Sequence, residues 1–217
     1  MTLGRRKTGI LCLIIALWAF TAQGSIIYSF NIFDNSNWSE NSQLNFTVTV
    51  SEEGQNQAGF LFENSSSISS SITAVYFDDD SLLSGTNETF LQGSGVAFSQ
   101  GANPSHLPGG DTLTPEFAKP ADFSADSDSK GGTSHNGINQ GEWLKIIFTI
   151  ENNRDFDDVI NALSESKDLR IGLHIQSLSN GDSVSAINRS IPANTQIPEP
   201  AAIVLLTIGI VAFLRKK

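Results

Sequence analysis

Between residues 25 and 197 the apolar positions recur mainly at every second residue, which is the period of a half-buried β-strand. In the clearest segment Leu44, Phe46, Val48 and Val50 alternate with asparagine and threonine. Clusters of Gly, Asn, Asp or Ser, which are typical of turns, bound each such segment. The pattern predicts strands over Ile26–Phe33, Leu44–Val50, Ala58–Phe62, Ile72–Phe77, Thr89–Phe98, Trp143–Ile150 and Leu169–Leu178.

One segment departs from this period and predicts a short helix. Phe156, Val159, Ile160 and Leu163 have the i, i+3, i+4, i+7 spacing of an apolar helix face. Acidic residues at the start of the segment favour a helix, because its N-terminus attracts negative charge. Many short strands and one helix predict an all-β domain, a β-sandwich of jelly-roll type.

Residues 99–141 interrupt the regular pattern with several prolines and glycine pairs. A loop of this length inside a compact domain is usually functional or mobile. We therefore expect one long irregular segment between two groups of strands.

The first 24 residues have the layout of a secretory signal peptide. A basic stretch at residues 5–7 precedes an apolar run from Ile10 to Phe20, and small residues follow. Cleavage between Gly24 and Ser25 would satisfy the preference of signal peptidase for small side chains before the cut. The sequence therefore predicts removal of residues 1–24 during export.

The end of the chain combines a rigid motif, an apolar run and a basic stop. In order, these are Pro198, Glu199 and Pro200, then Ala201 to Leu214, then Arg215, Lys216 and Lys217. At about 1.5 Å of rise per residue the apolar run spans about 21 Å as a helix, less than the ~30 Å hydrocarbon core of a bilayer. The terminal cations indicate that this end stays cytoplasmic while the bulk of the chain is exported. We expect the tail to be held in the inner membrane transiently.

The charges are distributed unevenly along the chain. The 217 residues include 13 Lys and Arg against 23 Asp and Glu, a formal charge of −10. Because six of the cations lie in the two terminal segments, residues 25–197 hold 7 cations and 22 acids. This composition argues against nucleic-acid binding, since phosphate contacts need Lys and Arg.

The tail resembles the PEP-CTERM sorting signal of Gram-negative bacteria. The likeness rests on Pro198-Glu199-Pro200, the apolar run and the basic stop, which stand in that order. It implies that exosortase, an integral-membrane protease or transpeptidase, recognises and removes the tail and delivers the protein to the cell surface or exopolysaccharide matrix. Ala201 stands where Ser or Thr is frequent in such tails, so the sequence does not identify which peptide bond is cut.

The chain therefore divides into a signal peptide (1–24), an extracellular domain (25–197) and a sorting signal (198–217). The resemblance covers the tail and says little about the domain. A simple C-terminal membrane anchor is the alternative interpretation of the tail, because it needs only the apolar run and the basic stop.

Two acidic clusters are candidates for calcium, which prefers carboxylate oxygens. Asp126 and Asp128 have the opening spacing of a calcium loop, although lysine and glycine stand at later ligand positions. Asp78 and Asp80 belong to a run of three acids at the end of a predicted strand. The alternative for both clusters is a solvated acidic turn, and nothing else in the sequence calls for a cofactor.

No catalytic motif is found, since the three histidines lie in no zinc-protease spacing and no nucleophile elbow is present. We expect a non-enzymatic structural or adhesive protein of the cell surface, which can contact exopolysaccharide. A carbohydrate-binding module is the alternative, and a secreted hydrolase the third hypothesis. Trp38 and Trp143 could provide a sugar-stacking surface, but core packing is the expected role of Trp143.

Overall fold

The computed structural model describes residues 24–34, 39–165, 168–189 and 194–196. They form a mostly antiparallel β-structure with one short helix, as the sequence predicts. The strands are β1 Ser25–Ile32, β2 Phe46–Glu52, β3 Gln57–Asn64, β4 Ser71–Asp78, β5 Thr89–Gln92, β6 Phe98–Gln100, β7 Phe123–Ser127, β8 Trp143–Thr149, β9 Arg170–Gln176, β10 Val184–Asn188 and β11 Asn194–Gln196. Helix α1 spans Phe156–Glu165, and two 3-10 turns span Asn41–Gln43 and Gly110–Thr112.

The strands follow one path, β5-β8-β3-β2-β1-β10-β9-β4-β7-β6, with β11 beside β1. Strand β1 belongs to both parts of this path, because Ser25–Ser29 pairs with β2 and Phe30–Ile32 pairs with β10. We call β5, β8, β3 and β2 the first half of the sheet, and β10, β9, β4, β7 and β6 the second half.

Phenylalanine rings join the inner faces of the two halves. The ring of Phe77 in β4 lies 5.1 Å from that of Phe60 in β3 and 5.0 Å from that of Phe148 in β8. Phe123 of β7 lies 4.8 Å from Phe148. All four rings are buried and meet edge to face, a geometry that aromatic pairs prefer. The main core therefore lies between the two halves.

A side chain links the two ends of the path. The amide of Gln92 in β5 accepts a hydrogen bond from the backbone N–H of Phe98 in β6, and its Nε2 donates to the carbonyl of Phe98 at 3.3 Å. A planar side-chain amide thus takes the place of a peptide group between two edge strands, whose backbone groups would otherwise lack partners here. The sheet is nearly closed as a result.

The prediction of a single strand over Thr89–Phe98 is wrong. The chain turns between β5 and β6, where the N–H of Val96 donates to the carbonyl of Gly93 at 3.2 Å. Gly95 has a φ of 92° in this turn, a conformation that favours glycine. The two pieces therefore become the opposite ends of the strand path.

The segment 99–141 contains more regular structure than its composition predicts. Strand β7 lies within it, and residues 101–122 cover the outer face of the second half. Leu107 and Phe117 of this cover pack with Tyr76 of β4 in a second, smaller apolar cluster. The segment is therefore a packed layer, and the expectation of one long irregular loop is wrong.

Arg170 of β9 fastens the cover to the sheet. Its guanidinium forms an ion pair with Asp78 of β4 and donates to the carbonyls of Pro115 and Glu116 in the cover. The same group lies 5.2 Å from the ring centre of Phe117. Because Arg170 is only 6% exposed, loss of Asp78 would leave a buried charge without its ion-pair partner.

Gly172 of β9 provides the space that Leu107 fills. A Cβ at position 172 would lie 2.6 Å from Cδ2 of Leu107, which is itself buried. We expect Gly172→Ala to lower the free energy of unfolding by about 1–3 kcal/mol, because the cover must shift to relieve the overlap. Urea denaturation of the purified protein measures this change.

Gly85→Ala is the matched control, since the nearest atom to a Cβ there lies 3.8 Å away. Its effect should stay within about 0.5 kcal/mol. Equal losses of stability in the two variants would contradict the close packing of Leu107 on Gly172.

Candidate functional site

The first and last strands bring the two ends of the domain side by side. β11 pairs with β1 in antiparallel register, with Ser25 opposite Gln196. Ser25 also pairs with Ser51 of β2, so β1 lies between two strands at this point. Within the described residues, the paired strands therefore begin at Ser25, the residue after the predicted cleavage site, and end at Gln196.

The predicted sorting residues lie outside the described part of the chain. This holds for the motif at 198–200, the basic stop at 215–217 and residues 1–23 of the predicted signal peptide. Gly24 is described and exposed. Among the described residues, no helix has the length and apolar character needed to cross a membrane. Export and tail removal stay predictions.

The carboxylates of Asp126 and Asp128 each accept a hydrogen bond from a backbone N–H. Asp126 lies in β7, and its Oδ2 accepts the N–H of Asn103 at 3.2 Å. Asp128 follows the strand, and its Oδ1 accepts the N–H of Lys130 at 2.9 Å. Both carboxylates thus stabilise turns next to β7.

In the second acidic cluster, Asp78 and Asp80 lie in different environments. Asp78 pairs with Arg170 and accepts the N–H of Ala118 at 3.1 Å, whereas Asp80 is exposed with a φ of 44°. Within the described ranges, no three His, Cys, Asp or Glu side chains form a group that could hold a metal ion. Calcium binding at either cluster stays a prediction.

Asp79 lies between Asp78 and Asp80 and is the buried acid of the turn. The run of three acids in the sequence does not distinguish it from its neighbours. It is 2% exposed, its Oδ2 accepts the N–H of Leu83 at 2.7 Å, and its own N–H donates to Asp122. Burial raises the pKa of Asp79 to about 6; the bond from Leu83 opposes this shift, and the charge of Asp122 adds to it. Strand alternation could have indicated it, since neighbours in a strand face opposite sides.

Trp143 lies on the outer face of the first half and is 39% exposed, so the prediction that it packs in the core is wrong. Its indole contacts Gly93, where a Cβ would lie 3.2 Å from Nε1. Glu63 of β3 stands opposite Trp143 in the register, and Leu91 of β5 is 45% exposed. The described face thus presents two apolar side chains to solvent, while Trp38 lies outside the described residues.

A small cavity of about 100 Å³ lies on the outer face of the second half, lined in part by Tyr76, Asp126 and His174. The Tyr76 hydroxyl donates to the carbonyl of Pro104 at 3.2 Å, and Nε2 of Gln176 lies 3.3 Å from Nε2 of His174. Burial lowers the pKa of His174, so its imidazole is neutral at neutral pH. The cavity has room for about three water molecules.

Comparison with known proteins adds no relative. No protein-family model, curated protein or solved structure matches the chain. Its function must therefore be inferred from its own residues.

The buried carboxyl of Asp79 makes stability depend on pH. Its pKa is about 6 in the folded protein against an ordinary value of 3.8, so the folded state binds more protons between these values. The free energy of unfolding therefore falls as pH rises through this range. We expect Asp79→Asn, which keeps an acceptor for Leu83, to remove this fall and to raise stability near neutral pH by about 3 kcal/mol.

Urea unfolding of both proteins at about pH 4 and about pH 7 measures the difference. Asp80→Asn is the control, because an exposed carboxyl should leave the pH dependence of wild type in place. If Asp79→Asn kept the pH dependence of wild type, the Asp79 carboxyl would not be its cause.

Proposed function

We propose that the chain is an exported, non-enzymatic protein of the cell surface or exopolysaccharide matrix of a Gram-negative bacterium. In this proposal signal peptidase removes residues 1–24, and the tail then holds the chain transiently in the inner membrane. An exosortase-like protease recognises Pro198-Glu199-Pro200 and removes the segment that follows. The observation that carries the proposal is the order of motif, apolar run and basic stop in the tail.

The ends of the fold support both proposed cuts. Removal of residues 1–24 leaves β1 whole, because that strand begins at Ser25. Removal of the chain after Pro200 leaves β11 whole, because that strand ends at Gln196. Both cuts can therefore be made without loss of a paired strand.

A structural or adhesive role fits the composition of the domain. Residues 25–197 carry 22 acids and 7 cations, and net charge of this size keeps a protein soluble. We also infer a β-sandwich of jelly-roll type, which is supported by the edge-to-face rings of Phe60 and Phe77 from opposite halves.

The sorting proposal is tested on the full chain in a Gram-negative host that carries an exosortase. We expect the intact mass of the surface protein to lack the segment after Pro200. Replacement of Pro198, Glu199 and Pro200 by alanine should leave membrane insertion intact but stop cutting, so the full-length chain stays in the inner membrane. Replacement of the three cations at 215–217 by glutamine should weaken the stop signal and give mislocalised or uncut protein.

Lys130→Gln, in an exposed turn of the domain, is the control for loss of positive charge and should be sorted like wild type. If surface protein from the wild-type strain still carries Arg215–Lys217, the sorting proposal is wrong. The plain C-terminal membrane anchor then takes its place.

Carbohydrate binding is the second candidate function, and the exposure of Trp143 favours it. Aromatic rings present an apolar face that can pack on the C–H groups of a sugar, while the indole N–H can donate to a hydroxyl. The carboxylate of Glu63, opposite Trp143 on β3, is an acceptor for further hydroxyls. Leu91 extends the apolar area on the adjacent strand β5.

We expect Trp143→Ala to weaken binding of a glycan identified on an array about tenfold, as calorimetric titration would measure. Trp143→Phe should keep most of the affinity, because it retains an aromatic face. Trp143→Phe should also change stability little, since the side chain is 39% exposed. Unchanged affinity in Trp143→Ala would exclude this residue from the binding surface.

A further inference from the structure

A cleft of about 680 Å³ opens at the end of β8 opposite to Trp143. Its volume lies within the range of about 300–1,000 Å³ that is usual for small-molecule sites. One wall is the turn between β2 and β3, and the other is the connection from β8 to α1. Its polar and aromatic lining includes Glu52, Gln55, Gln57, Arg154, Asp155 and Phe156.

Hydrogen bonds hold the two walls at a fixed distance. Nδ2 of Asn56 donates to the carbonyl of Ile150 at 2.6 Å, and the N–H of Ile150 donates to the carbonyl of Asn56 at 2.9 Å. Asp155 and Asp158 cap the start of α1, each accepting the N–H of the other at 2.9 and 3.2 Å. The cleft is therefore formed before any ligand arrives, which reduces the entropic cost of binding.

The lining has the chemistry that recognises sugars. Side-chain amides, carboxylates and a guanidinium are planar groups that each offer two or more polar atoms, which matches neighbouring hydroxyls on a ring. Phe156 adds an aromatic face for the apolar side of such a ring. Gln55 and Gln57 contribute donors and acceptors from the β2–β3 side, and Asp155 contributes acceptors from the opposite wall.

Arg154 is oriented by contacts at the back of the cleft. Its Nη2 donates to the carbonyl of Ser81 at 3.0 Å. Its Nε is shielded from solvent and has no hydrogen-bond partner among the described residues. The hydrogen bond to Ser81 thus fixes the position of the guanidinium in the lining of the cleft.

Charge decides which class of saccharide fits. Glu52 and Asp155 outnumber Arg154 in the lining, and the domain around them is strongly acidic. Uronic acids and sulfated sugars would therefore be repelled. We propose that this cleft binds a neutral saccharide, as a second contact region for the carbohydrate binding proposed above, on which this inference rests.

The test uses the purified exported protein and an array of neutral and acidic oligosaccharides, followed by calorimetric titration with the neutral oligosaccharide that gives the highest signal. The double variant Gln55→Ala/Gln57→Ala removes two amides from the wall. We expect its Kd to rise about tenfold, equivalent to about 1.4 kcal/mol. Arg154→Lys keeps the charge but loses the planar guanidinium, and it should also weaken binding.

Asn87→Ala removes an exposed amide from a turn that does not line the cleft, and it should bind like wild type. The cleft proposal is wrong if the double variant binds like wild type, or if acidic glycans bind more tightly than neutral ones. If Trp143→Ala lost binding while the double variant kept full affinity, the cleft proposal would be wrong and carbohydrate binding at Trp143 would stand. Absence of any glycan signal from wild type would overturn carbohydrate binding itself.

Discussion

The packing of Phe77 against rings from the opposite half is the interaction on which the rest of the structure depends. Each half has an apolar inner face, and such a face is stable only when another layer covers it. Phe60 and Phe148 supply that cover from the first half. With the halves held together in this way, β1 can pair with β2 of the first half and β10 of the second half. At the other side, Gln92 can link the edge strands of the two halves.

Strand alternation predicted most of the fold because it is a local property of the sequence. It failed for β7 and β10, where small residues such as Ala125 and Ala186 occupy inner positions and weaken the period. At Trp143 the alternation was informative, since Leu144 and Phe148 of the same strand face the core. The apolar character of tryptophan suggested that Trp143 is buried. The alternation along the strand placed it on the outer face, and this was correct.

The sites were harder to predict because their partners are distant in sequence. Asp79 and Asp122 are 43 positions apart, and the walls of the cleft meet through residues 94 positions apart. No local spacing marks such pairs, and they become visible only when the strands are placed. The tail is different, because its motif, apolar run and basic stop are contiguous, so the sequence alone was enough to form a hypothesis about it.

The position of β11 also determines how the domain would respond to mechanical load. A pull on the chain beyond Gln196 acts first on the pairing of Gln196 with Ser25, then on Thr195 with Ile26, then on Asn194 with Ile27. Because these pairs lie one behind another, a pull directed across the strands opens them one at a time, and the pairs share little of the force. Under such a pull the short terminal strand would peel away at low force and lengthen the extended end of the chain, while the phenylalanine core stays intact.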